Sequence, residues 1–285
     1  MTASSRTSAR TDSTARAAER AAEGAAERAA EGAAERAAEL RRLHHDPAIL
    51  VLVNAWDVAS ARAVAEVPGC RAVATASAAI AACHGCPDGE HIPADLMLDA
   101  VARIAAAVDL PVTADLEAGY GDVDRTIRRA VRAGVAGANL EDGMRPTAES
   151  AERVATAVRA GAAEGVPLVL NARTDCYLRG DGRPAADLLA DATVRGLAYL
   201  EAGADCVFVP GCTDEEAVAA LAERFGPGRL SLLGTPGAPS PTRLQELGVA
   251  RVSYGPFPHR RVLGALAEEA AALLGGDDGA GATGG

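Results

Sequence analysis

The chain has 285 residues, 49% of them apolar, with 28 basic residues against 39 acidic ones and a formal net charge of −11. That length and apolar fraction can bury a large core in one domain, and the acidic balance argues against nucleic acid or an anionic membrane surface as a partner. Every basic residue is arginine, because the sequence contains no lysine, so a lysine Schiff base, a phosphate-loop lysine and a lysine general base are all excluded.

Residues 1–43 are low in complexity: a start rich in Ser, Thr and Arg, then Ala-Ala-Glu steps of period four between Ala17 and Leu40. Alanine and glutamate favour helix, but a period of four drifts by roughly 40° per repeat around a 3.6-residue helix and gathers no apolar seam. Gly24 and Gly32 weaken it further. The expectation is a frayed helix or disordered arm, of which residues 1–40 can be removed with little loss of stability, ahead of a catalytic domain at 44–275 and a glycine-rich tail at 276–285. No secretory apolar core and no run of roughly 18 apolar residues is found, so a cytoplasmic protein without a membrane partner is expected. In that compartment Cys70, Cys83, Cys86, Cys176, Cys206 and Cys212 are reduced thiols. Cys83 and Cys86 have the spacing of half a zinc or redox site, with His84 and His91 nearby, but no second such pair exists; small buried or loop cysteines are expected.

From Ile49 the pattern becomes regular. Strand-like segments at 49–53, 71–75, 111–115, 135–140, 167–172, 205–209, 229–233 and 250–254 alternate with helical patterns at 58–67, 94–108, 123–133, 148–164, 185–202, 214–225, 241–247 and 260–274. Eight such units predict a (β/α)₈ barrel of the TIM type. The rival, a doubly wound open sheet, gathers its site at one switch point. Here polar groups follow five consecutive strands: Asn54, Thr75 to Ser77, Asp115 with Glu117, Glu141 with Asp142, and Arg173 with Asp175. Strand C-termini of a barrel converge on one mouth, and that is the arrangement this pattern fits.

The most informative stretch is 111–121, PVTADLEAGYG. Its strand ends on Asp115 and Glu117, which extended backbone would point the same way, before Gly119 and Gly121 turn the chain and Asp122 caps a helix. With Asp88 and Glu141, four carboxylates are assigned to the mouth. At about 5 Å and an effective dielectric of 20, each ionised pair repels by about 3 kcal/mol. The set therefore requires a cation, shared protons or an arginine, and all-oxygen donors favour Mg²⁺, with Mn²⁺ as the alternative, over zinc.

The runs ADLEAGYG, GANLEDG and NARTD at successive strand ends, together with LVNAWDVASA and TASAAIAACHGCPDG, resemble the isocitrate lyase/phosphoenolpyruvate mutase superfamily over residues 44 to 270. The resemblance implies that Asp115 holds the metal directly and that Asp88, Glu117 and Glu141 reach it through water. It also implies that Arg173, with Glu141 beside it, is catalytic and binds a small carboxylic-acid substrate through its carboxylate and enolate oxygens, while Ala76, Ser77 and Ala78 cradle the other end. A homo-oligomer, dimer or tetramer, is implied as well. From the residues alone, Arg173 has the alternative of a barrel-top ion pair with Asp175 or Glu141. Trp56 reads as a packing lid, Asp57 as a helix cap and Cys176 as filling.

The chain departs from the family after the strand at 135–140. Isocitrate-type lyases carry a Lys-Arg-Cys-Gly-His segment there; this chain reads EDGMRPT and enters a helix. The proton-donating cysteine and the asparagine-bearing lid of phosphoryl transfer are both missing. The first functional expectation is thus a Mg²⁺-dependent lyase or decarboxylase that cleaves a C–C bond in a small 2-oxo or 2-hydroxy dicarboxylic acid. The second is P–C bond mutase or hydrolase chemistry, and the third an inactive barrel serving as a binding scaffold.

Overall fold

Short runs of valine, leucine and alanine become the staves of one parallel barrel, and the capping residues between them set where each helix starts. The computed structural model describes residues 31–180 and 182–275. The strands are β1 (Leu50–Leu52), β2 (Asn54–Ala55), β3 (Val73–Thr75), β4 (Val112–Asp115), β5 (Gly137–Glu141), β6 (Val169–Arg173), β7 (Cys206–Phe208), β8 (Leu230–Leu233) and β9 (Arg251–Ser253). Their order is β1-β9-β8-β7-β6-β5-β4-β3-β2, with every pairing parallel. β1 and β2 are two pieces of one stave broken at Val53: the first pairs with β9 and the second with β3, and this closes the ring. The expected (β/α)₈ barrel is the fold.

The helices are α1 (residues 31–44), α2 (Val58–Ala65), α3 (Ser77–Cys83), α4 (Ala94–Ala106), α5 (Val123–Arg132), α6 (Thr147–Ala163), α7 (Ala185–Glu201), α8 (Glu215–Phe225), α9 (Pro241–Glu246) and α10 (Phe257–Gly275). Asp57, Asp122, Asp214 and Ser240 cap α2, α5, α8 and α9 by accepting the N–H of Ser60, Arg125, Ala217 and Arg243. These side chains satisfy donors that a helix start otherwise leaves orphaned. Asp57 is therefore the cap that the sequence suggested. Pro93, Pro146 and Pro184 occupy the corresponding position before α4, α6 and α7.

The boundary placed at residue 43 is corrected by α1. Ala33, Ala37, Leu40 and Leu43 are at most 2% exposed and belong to the main core cluster. The four-residue repeat ends in Glu-Leu-Arg-Arg-Leu-His, and this ending supplies the i, i+4, i+7, i+10 seam that the repeat alone lacks. Leu40 plugs the end of the barrel opposite the mouth: a Cβ at Gly137 would lie 2.7 Å from Leu40 Cδ2, so only glycine fits there. Arg41 fastens the helix outside, with Nε donating to Asp205 Oδ1 at 2.7 Å and Nη2 to the Pro167 carbonyl at 2.9 Å. The remainder of the expected arm, residues 1–30, and the tail at 276–285 lie outside the described residues.

The barrel interior is partly polar. Asn171 Nδ2 and the wholly buried Arg251 Nη2 both donate to Asn139 Oδ1, at 2.8 and 3.1 Å. Asn139 is the register partner of Asp115 across β4 and β5, so this layer lies directly under the mouth.

Candidate active site

β4 delivers Asp115 to the mouth as its last residue, and two hydroxyls hold it there. The Asp115 N–H donates to Thr75 Oγ1 at 2.9 Å. Its carboxylate Oδ2 accepts from the Ser77 hydroxyl at 2.7 Å and the Ser77 N–H at 3.3 Å. Ser77 opens α3, directly after Ala76, whose N–H is tied to the Ala55 carbonyl at 3.1 Å. The Ala76–Ser77–Ala78 segment thus borders one oxygen of the Asp115 carboxylate. The alternating pattern read from the sequence assigned no helix here; α3 is a single stretch of seven residues.

β5 and β6 bring the next pair together. Glu141 and Arg173 are register partners and the last residues of their strands. Arg173 Nη1 lies 2.9 Å from Glu141 Oε2, and Arg173 Nε donates to Asp175 Oδ1 at 2.7 Å. Burial pushes the Glu141 carboxyl up to about 7, reinforced by Asp175, Asp115 and Glu117 and opposed by Arg173. Burial acts to discharge Arg173 but is outweighed by Glu141, Asp175 and Asp115, which keep it a permanent cation. Both ion pairs expected of Arg173 exist, and Nη2 has no protein partner among the described residues. A structural role and a substrate-facing edge are therefore compatible in one guanidinium.

Glu117 behaves differently. It turns at φ +49° and accepts from the Tyr120 hydroxyl at 2.5 Å and from the Glu90 N–H. Glu90 in turn accepts the Tyr120 N–H at 2.5 Å. Burial holds the Glu117 carboxyl above its ordinary range, with Asp115 and Asp88 adding to the effect. Glu117, Tyr120, Glu90 and Met144 are the four non-glycine residues of positive φ among the described residues. All four lie in loops after β3, β4 and β5, and such backbone costs about 1 to 3 kcal/mol apiece, a cost that clusters at functional sites. The sequence missed Glu90 and Tyr120; a tyrosine between two turn glycines in AGYG was the available signal.

Asp88 sits in the loop between α3 and α4. Its carboxyl is shifted up by burial first and by the Asp115 charge second, while Arg173 and Arg260 pull it down. Among the described residues no three His, Cys, Asp or Glu side chains form a ready-made metal cage. The donor set nevertheless suits a hard cation that retains water: among the described residues one Asp115 carboxylate oxygen has no protein donor, and Asp88, Glu117 and Glu141 are close enough for its charge to help raise their proton affinity. Cys83 and Cys86 are free thiols. On the rim, Trp56 meets the His259 ring edge-on at 4.8 Å between centroids, as a packing lid would.

A model of the phosphoenolpyruvate phosphomutase family matches residues 40–274. The chain belongs to that family. Among curated relatives, an oxaloacetate decarboxylase of Pseudomonas aeruginosa is 32% identical over 211 residues, covering 71% of this chain and 72% of the relative. The crystal structure of a candidate phosphonomutase from Burkholderia cenocepacia J2315 is 38% identical with a TM-score of 0.79, covering 86% of this chain and all of that one. Oxaloacetate acetylhydrolase in complex with its product oxalate is 25% identical with a TM-score of 0.76, covering 87% and 89% of the two chains. This member of the isocitrate lyase/phosphoenolpyruvate mutase superfamily thus has lyases and mutases for relatives, as its strand-end motifs implied. No helix among the described residues is long and apolar enough to cross a membrane.

Proposed function

We propose that the chain is a Mg²⁺-dependent lyase or decarboxylase that cleaves a C–C bond in a small 2-oxo or 2-hydroxy dicarboxylic acid through a pyruvate-like enolate. The carrying observation is the pairing of Arg173 with Glu141 beside Asp115, followed by a β5–α6 connection of only Asp142 to Pro146. Mg²⁺, with Mn²⁺ as the alternative, would be held by Asp115 directly and by Asp88, Glu117 and Glu141 through water, and would act as a Lewis acid on substrate oxygens.

Arg173 faces the substrate with the guanidinium edge that its two carboxylate partners leave open. In that position it binds the carboxylate of the 2-oxo acid and gains strength as negative charge develops on the enolate oxygen. With a 2-oxo dicarboxylate the bonding pair of the broken C–C bond stays on C3 of the pyruvate fragment as its enolate, carbon dioxide departs, and a proton then adds at C3. With a 2-hydroxy acid a base takes the hydroxyl proton, the 2-oxo acid departs as the carbonyl fragment, and the pair stays on the C3 fragment as a carboxylate-stabilised enolate that is then protonated. The Ala76–Ser77–Ala78 segment borders the carboxylate end. The short β5–α6 connection offers no cysteine, lysine or histidine to pin a large leaving group, and this favours a small one such as carbon dioxide.

The P–C alternative draws on the family's name and on the candidate phosphonomutase among its structural relatives; the missing asparagine-bearing lid weighs against it. A coupled assay for pyruvate release, run with and without Mg²⁺ on oxaloacetate, methylated malates and phosphonopyruvate, tests both. Metal-dependent pyruvate from a dicarboxylate is the expected result. Turnover of phosphonopyruvate alone, followed by ³¹P NMR, would replace the first reading with the second, and no turnover of any of them would favour the scaffold. The site is further proposed to work in a homo-oligomer, a reading supported by the apolar stripe of α10.

A further inference from the structure

Asp142 follows Glu141 and is buried, yet the enolate mechanism gives it no task. Its carboxylate gathers four donors. Oδ1 accepts the N–H of Met144 at 2.9 Å and of Asp175 at 3.1 Å, while Oδ2 accepts the Tyr199 hydroxyl at 2.8 Å and Arg195 Nη1 at 3.1 Å. The Asp142 N–H donates to the Arg173 carbonyl at 3.0 Å. Tyr199 and Arg195 lie on α7, on the far side of the barrel wall from the mouth, and Arg195 is itself aimed by Asp191, which accepts its Nε–H at 2.8 Å.

We propose that Tyr199 and Arg195 are positioning residues for the Arg173 guanidinium, acting through Asp142 and then Asp175. The path is continuous. α7 fixes the Asp142 carboxylate, which fixes the backbone of Asp175 where β6 ends. The Asp175 side chain, 2% exposed, then accepts Arg173 Nε–H at 2.7 Å. A guanidinium that must present one particular edge to a carboxylate tolerates little displacement, since about 1 Å of misplacement can cost two orders of magnitude in rate. A brace serving stability alone needs only to join α7 to β5. This one also sets the orientation of the one cation at the strand end, because both the main chain of Arg173 and the acceptor of its Nε are bonded to Asp142 or to the residue it holds. The sequence offered no warning: Asp142 and Tyr199 are 57 positions apart.

The proposal rests on the reading of Arg173 as a carboxylate-binding group, so its test has two arms. In the first, oxalate binding in Mg²⁺ is measured by calorimetry on the full chain. In the second, the Arg173 Nε–H signal is followed by ¹⁵N NMR, assigned by its loss in Arg173→Lys. Tyr199→Phe keeps the ring and removes one hydrogen bond; about tenfold weaker oxalate binding is expected, with a displaced Arg173 signal and a melting temperature lowered by less than about 5 °C. Arg195→Gln should act in the same direction and Arg195→Lys should restore part of the loss, which settles the matter if the tyrosine variant does not fold. An Arg173 signal unmoved in both Tyr199→Phe and Arg195→Gln overturns the proposal, as does unchanged oxalate affinity alongside a falling melting temperature. If the unmodified protein binds no oxalate, the carboxylate reading fails, while the NMR arm still decides whether α7 orients Arg173.

Discussion

Arg173 carries two carboxylates and still leaves a nitrogen open, so replacing it with a point charge removes geometry more than charge. Arg173→Lys should lower kcat on the true substrate by about 100-fold, about 2.7 kcal/mol of transition-state stabilisation, with a smaller change in KM and little change in Mg²⁺ affinity. A retained kcat with only a shifted melting temperature would reduce Arg173 to an ion-pair partner. Asp115→Ala should abolish metal-dependent turnover while leaving the circular dichroism spectrum native, because it deletes the carboxylate oriented by Ser77 and keeps the backbone N–H bond to Thr75. Glu141 adds a pH signature. Burial pushes its folded carboxyl up to about 7 from an ordinary 4.5, so between those values the folded state binds more protons than the unfolded one. The metal-free protein should therefore lose stability as pH rises from about 4.5 to 7, and Mg²⁺ binding should strengthen over the same interval as the carboxylates ionise. Melting curves in chelator and in Mg²⁺ across that range check both signs, and Glu141→Gln should flatten the chelator series.

At the scale of elements, α1 is the part of the structure least visible in the sequence, and the reason is physical. A period of four averages its apolar positions around the helix, so the repeat gives no seam; the seam comes from Leu40 and Leu43, at the end where the repeat breaks. Its partner surface, the Gly137 cleft and the carbonyls around Pro167, lies about a hundred residues further along. The strands were legible because most are short runs rich in valine, leucine and alanine, five of them running into polar groups, and the helix starts because Asp57 and Asp122 are good caps. Leu40→Ala should cost about 2 to 5 kcal/mol, the range for emptying a packed leucine site, measured by urea unfolding. Deletion of residues 1–44 should lower the melting temperature far more than deletion of 1–30; equal effects would show that α1 contributes nothing as a plug.

Across the whole molecule, the barrel and the place of its mouth could be read from eight alternating units and five polar strand ends, and the strand-end positions of Asp115, Glu141 and Arg173 from their motifs. The partners that orient them could not, because Ser77 and Asp115 are 38 positions apart and Asp142 and Tyr199 are 57 apart; only the closed ring brings them together. The same ring leaves α10 largely uncovered beyond His259. Val262, Leu263, Leu266, Leu273 and Leu274 are between 48 and 88% exposed, and with Ala270 they fall at i, i+3/i+4, i+7 and i+11, one stripe along a helix of 19 residues. An isolated helix of this length is marginal in water, where most helical stability comes from packing an apolar face. The proposed homo-oligomer supplies that packing, with the stripe of one copy laid against another. Sedimentation at micromolar concentration should then show an assembly larger than the 28.8 kDa chain, and Leu263→Asp with Leu266→Asp should convert it to a monomer with reduced helix content. A monomeric unmodified chain with full helicity would mean that α10 is stable uncovered, and the oligomer reading would be withdrawn without touching the assignment of the mouth.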